Sequence, residues 1–308
     1  LRAAKPPPGA PVGGFAFRAP SCILAGARPR MTADPSEDAP MTPIRALPPL
    51  LAALALCFAG AASAADRAGP EQESAAWADI SDQMWPETEI AQAGAMIEID
   101  APYRAHDAAA VPVEIAIAPP LGRVVERFTI VIDENPAPMA AAVEVGPGMG
   151  REIAFSTRVR IDAYSNLRVV AELDDGSVAQ RAVFVKASGG CSAPASGNAE
   201  ASANAAGQMR LRAFDGPDPE AQFLLRHPNH SGFQIDQVTL LNIPPWFVDS
   251  VTLRQGDELL LRVVGGISLS EDPAMRFGYV PNGAGSISAR VEDTDGNVWE
   301  AAFPLAGG

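Results

Sequence analysis

The chain has 308 residues, enough for two domains, and a formal net charge of -14. That acidity argues against nucleic acid as a partner, which requires a basic face, and against adhesion to an anionic membrane. No pair of the three cysteines, Cys22, Cys57 and Cys191, has metal-ligand spacing, and His106, His227 and His230 are the only histidines. No metal, haem or other cofactor is therefore expected, and a Ser-His-Asp hydrolase has little to work with.

Residues 1–40 are rich in Pro, Gly, Ala and Arg without usable periodicity, and are expected to be an upstream over-translation and disordered. Met41 begins a different pattern. Arg45 supplies a positive start, an apolar run extends from Leu47 to Gly60, and Ala62-Ser63-Ala64 offers a small-residue cleavage site. This predicts a secretory signal peptide over residues 41–64 and a periplasmic protein. The run is too short to span a bilayer comfortably, so stable membrane insertion is not expected. Removing residues 1–64 leaves Cys191 as the sole cysteine. A disulfide within the chain is then impossible, and an unpaired thiol in an oxidising compartment calls for a reason.

Trp77, Ile80, Ser81 and Met84 fall at helical spacing, and Pro86 ends that run. Period-two apolar alternation then predicts strands over 96–99, 111–118, 126–132, 140–145, 152–161, 167–173 and 178–186. Turn residues at Asp133-Glu134-Asn135-Pro136, Gly146-Pro147-Gly148 and Asp174-Asp175-Gly176-Ser177 punctuate them. Many short strands without βαβ alternation predict a β-sandwich. The glycines from 146 to 150 fit neither the dinucleotide fingerprint nor a P-loop.

Residues 188–207 are mostly Ala, Ser, Gly, Asn and Pro, too small to offset their ordering entropy by burial, and predict a flexible linker. Cys191 sits in it behind Gly189 and Gly190. A thiol on such an arm suits a carrier of intermediates, since a thiolate forms covalent adducts and a tether raises its concentration at each partner. The same residues also suit an incidental linker cysteine. No base or oxyanion hole lies nearby in sequence, so no catalytic residue is assigned and the chain is not expected to be an enzyme.

A second strand-rich stretch follows, with strands expected over 209–214, 222–230, 234–241, 247–254, 258–264, 274–280, 285–292 and 297–303. It has the pattern of the first stretch, with no exact internal repeat. His227 and His230 could ligate a metal, but no carboxylate or thiol is close in sequence, and a hydrogen-bonding role is the simpler expectation. Pro244-Pro245-Trp246-Phe247 forms a stiff apolar patch, either core or a partner contact.

Laid out in this order, the chain resembles the sulfur-oxidation carrier pair SoxY and SoxZ fused into one polypeptide, in particular the SoxYZ-like carriers associated with quinoprotein (PQQ) dehydrogenases. The resemblance rests on Asp133-Glu134-Asn135-Pro136-Ala137-Pro138, Thr157-Arg158-Val159-Arg160, and Val185-Lys186 leading to Gly189-Gly190-Cys191. In the second stretch it rests on His227-Pro228 with Ser231-Gly232-Phe233, and on Asp293-Thr294-Asp295-Gly296.

The resemblance implies an all-β protein of two immunoglobulin-like sandwiches, SoxY-like over 77–187 and SoxZ-like over 208–305, joined by the linker 188–207. It implies a covalent carrier role for Cys191 and flexibility of the arm at Gly189 and Gly190. The implied partners are periplasmic sulfur-oxidation enzymes. The competing expectation is a non-covalent accessory or chaperone of a quinoprotein dehydrogenase. Two departures stand out. The family's G-G-C-G-G reads Gly189-Gly190-Cys191-Ser192-Ala193 here, and the cysteine is internal.

Overall fold

A computed structural model describes residues 67–194, 199–237 and 239–305. The expected over-translation and signal peptide lie outside the described residues. In the first half, a short strand β1 (Gly69–Pro70) precedes helix α1 (Ala75–Met84). Ser74 caps the helix by accepting from the Trp77 amide. Then come β2 (Ile90–Gln92), β3 (Ile97–Asp100), β4 (Val111–Ile117), β5 (Val125–Ile132), β6 (Met139–Val145), β7 (Ile153–Val159), β8 (Ser165–Leu173) and β9 (Val178–Val185). A short helix α2 (Ala199–Asn204) leads into the second half. That half contains β10 (Met209–Phe214), β11 (Glu220–Leu225), β12 (Val248–Gln255), β13 (Glu258–Gly265), β14 (Ala274–Gly278), β15 (Ser286–Asp293) and β16 (Val298–Pro304).

The fold is mostly β with few helices, as the alternation predicts, and its strands form two sheets. One sheet runs β1-β9-β8-β5-β6-β13-β12-β15-β16, with β2 also on β9. The other runs β10-β11-β14-β7-β4-β3. Both sheets pass through both halves. The strand order β9-β8-β5-β6 is repeated in mirror order as β13-β12-β15-β16, and β3-β4-β7 as β14-β11-β10. The repeat that residue identities hide is thus present in topology. Equivalent strands meet antiparallel at the seam, β6 with β13 and β7 with β14, as a two-fold operation would place them.

The halves are therefore not two sandwiches held by a tether alone, as the sequence suggested. One core cluster extends through both. It takes in Phe128, Val143 and Phe155 from the first half and Phe223, Leu261 and Phe277 from the second. Phe128 and Phe155 pack edge to face across the two sheets at 5.3 Å. Fully exposing Val143, Leu261 and Phe277 would cost about 1.5–3 kcal/mol each. Whole domains are stable by only about 5–15 kcal/mol, so a core shared between the halves couples their stability.

Strands β5 and β8 bury apolar side chains on both faces because both are covered. Ile130 and Leu167 face the main core, while Val131 and Val170 lie under α1 with Ile80 and Trp85.

Residues 226–247 form no named strand, although strands were expected over 222–230 and 234–241. β11 stops at Leu225. Pro228, Pro244 and Pro245 remove ladder donors, and Asn229 and Leu240 take left-handed φ values of 47° and 58°. Isolated bridges, His230 to Trp246 and Ile235 to Asn242, close the segment into a long loop.

Candidate functional site

The site lies where this loop meets the end of β7. Past Val159 the chain continues through Arg160, Ile161 and Asp162, and the cysteine segment lies against it. The Gly189 amide donates to the Asp162 carbonyl at 2.7 Å, and the Gly190 amide to the Ile161 carbonyl at 3.1 Å. The Cys191 amide donates to Asp162 Oδ1 at 3.2 Å.

The second half grips the segment from the other side. Ser231 Oγ donates to the Cys191 carbonyl, and Gln234 Nε2 donates to the Ala193 carbonyl at 3.0 Å. Gln234 is itself held, with Oε1 accepting from His230 Nδ1 at 3.0 Å and from the Ser231 amide at 3.4 Å.

Cys191 is 0% exposed. Where the sequence suggested a thiol on a flexible arm, residues 189–193 are seated against both halves. The composition lacks large apolar groups, as noted, but the backbone is fixed by hydrogen bonds to both halves. Ala199–Asn204, also within the expected linker, is helical. The glycines act differently from simple flexible joints. Gly189 has φ +76°, which favours glycine. A Cβ on Gly190 would sit 2.1 Å from the Ala108 carbonyl oxygen and 2.7 Å from that of Ile161. Glycine here permits close approach.

The buried thiol does not belong to the apolar cluster. Burial pushes its pKa up to about 11, with the Asp162 charge raising it further and the Arg160 charge opposing. At pH 7 the thiolate fraction in this position is on the order of one in ten thousand. In the position described, Cys191 is protected rather than reactive.

Arg160, 1% exposed, ties the halves together. Its Nη1 donates to the Asn229 carbonyl at 2.6 Å and the Leu269 carbonyl at 2.8 Å, while its Nε has no partner among the described residues. Burial lowers its pKa, against the attraction of Cys191, Glu271 and Asp107. Asn135 is the second tie. Its Nδ2 donates to the Arg160 carbonyl at 2.7 Å and to Ser268 Oγ at 2.9 Å, and its Oδ1 accepts from the Asp162 amide at 2.8 Å. The turn that presents Asn135 is anchored by Asp133, which takes Arg168 Nε at 2.8 Å in a buried ion pair.

Residues 82–191 match the model of the sulfur oxidation protein SoxY, and residues 210–304 match that of the sulphur oxidation protein SoxZ. A SoxY family domain and a SoxZ family domain stand in one chain. Among solved structures, the sulfur carrier protein SoxY from Chlorobium limicola f thiosulfatophilum is 29% identical, over 35% of this chain and 89% of that one, with a TM-score of 0.30. No curated protein sequence matches.

The SoxY match ends on Cys191, and the grip on that residue comes from both domains. The SoxZ-domain histidines take hydrogen-bonding positions. His227 Nδ1 accepts from the Asn229 amide at 3.0 Å, and its Nε2 faces Asp293 Oδ2 at 3.4 Å. Burial pushes the Asp293 carboxyl up, but hydrogen bonds from Asn297, Trp246 and His227 outweigh it and hold the group below the ordinary carboxylate value. Burial likewise lowers His227, against Asp293.

Trp246, in the stiff patch noted from sequence, is half-buried and donates from Nε1 to Asp293 at 2.7 Å. Sequence reasoning named Arg160 and Ser231 only as motif letters, and did not single out Asp162 or Gln234. The strand expected over 152–161 included Arg160, so alternation did not mark it; β7 ends at Val159. Nothing local marked Gln234.

Proposed function

We propose that this chain carries a sulfur-compound intermediate covalently on Cys191 and presents it to partner oxidation enzymes, which make and break the cargo bond. The observation that carries this reading is the position of Cys191. It is the one free cysteine among the described residues, it closes the SoxY match, and it lies at the meeting of the SoxY and SoxZ domains. The buried, protonated thiol adds a condition: loading and unloading require residues 189–193 to leave their seat. We read each half as an immunoglobulin-like sandwich, a reading supported by the shared order of four strands facing three. We place the working protein in the periplasm on the signal pattern at 41–64.

Intact mass of protein purified anaerobically from its host tests the carrier role. We expect an added mass on the Cys191 peptide, removed by reductant and missing in Cys191→Ser, with loss of sulfur oxidation in that variant. Full pathway activity in Cys191→Ser would refute the role. Service to a quinoprotein dehydrogenase rests on the sequence resemblance alone. A dehydrogenase that co-purifies equally with wild type and Cys191→Ser would favour the non-covalent accessory reading.

A further inference from the structure

The hydrogen bonds on the cysteine segment divide into two groups by origin. Those from Ile161 and Asp162 come from the same domain as the segment. Those from Ser231 and Gln234 come from the other domain, on a loop with no strand of its own. We propose that this loop is a clasp, in which Ser231 and Gln234 hold Cys191 in its seat and set how often the thiol becomes available. The inference rests on the carrier reading for its purpose, but not for its mechanism.

Three observations support the clasp. Both side chains are buried, Ser231 at 3% and Gln234 at 1% exposure, and both donate to carbonyls of the segment and not to their own loop. Gln234 is oriented for that task. His230 Nδ1 and the Ser231 amide both approach Oε1, which leaves Nε2 turned to the Ala193 carbonyl. The two residues that flank Gln234 are open to solvent instead, Phe233 being 46% and Ile235 47% exposed. The loop therefore presents one face to the cysteine segment and the other to solvent. A movement of the loop would withdraw both donors together.

The segment's composition makes such a clasp effective. Between Gly189 and Pro194 the side chains are hydrogen, a thiol, a hydroxymethyl and a methyl. They bury little apolar area, so backbone hydrogen bonds decide whether the segment stays seated. Each lost donor should shift the opening equilibrium by roughly three- to ten-fold.

The test uses the full chain, with alkylation by iodoacetamide followed peptide by peptide so that Cys22 and Cys57 do not contribute. Ser231→Ala and Gln234→Ala should each raise the Cys191 alkylation rate by about three- to ten-fold, and the double variant by more. Hydrogen exchange separates this from general loosening. Exchange should quicken in the peptide spanning 187–194 and stay unchanged in the peptide spanning 167–173. Unchanged alkylation in both single variants would overturn the clasp, and so would exchange rising equally in the two peptides. Neither readout needs a cargo. Absence of a sulfur adduct in the native host would count against the carrier role and leave the clasp standing.

Discussion

Cys191 shows how a residue's chemistry is set by its seat rather than by its type. The ordinary thiol value is 9.0, and burial raises it to about 11. A group whose pKa is raised in the seated state holds its stabilising effect below the ordinary value and loses it as pH climbs toward the raised one. Seating of Cys191 should therefore be pH-independent through neutrality and weaken between about 9 and 11. Since most molecules are seated, the alkylation rate should follow the seated titration, with a midpoint near 11. A midpoint near 9 in the folded protein would show that the thiol is not in this environment. The residue pattern Gly-Gly-Cys was legible from sequence, and so was the absence of bulky neighbours. Burial was not, because the groups that hold the backbone around the thiol come from Asp162 and from a loop about forty residues downstream.

Among the elements, the turn after β5 and the extension of β7 position the cysteine segment. Asn135 on that turn makes three hydrogen bonds, to the Arg160 carbonyl, to Ser268 Oγ and from the Asp162 amide. At about 1 kcal/mol per net hydrogen bond, Asn135→Ala should cost about 2–4 kcal/mol, read as a lower urea midpoint at constant slope. The strands themselves were readable. Expected and observed boundaries agree within a few residues from 111 to 186, because one alternating face packs inward. The exceptions obey a different rule. Residues 226–247 are apolar enough to suggest strands, yet the prolines and left-handed positions prevent a ladder. The result is a loop whose inward side chains reach the cysteine.

For the molecule as a whole, the seam sets the behaviour. Two tryptophans, Trp77 and Trp85, report on the first half, and Trp246 and Trp299 on the second. With β6 on β13, β7 on β14 and one shared core, urea unfolding should give one transition. Far-UV circular dichroism and tryptophan fluorescence should coincide, and a Trp77→Phe/Trp85→Phe variant should keep the same fluorescence midpoint as its own circular dichroism. Two separated midpoints would mean that the halves fold independently.

Read alone, the chain specifies an all-β protein of two similar stretches, and a single cysteine between them that stands out by elimination. Periodicity and turn chemistry are local, so one polypeptide displays them in order. Joining the stretches edge to edge and seating the thiol under Ser231 and Gln234 are effects of the folded molecule. Both depend on pairings between residues about 70 to 125 positions apart, or about 40 in the case of the thiol. No alternation of side chains encodes which distant partner will supply a hydrogen bond.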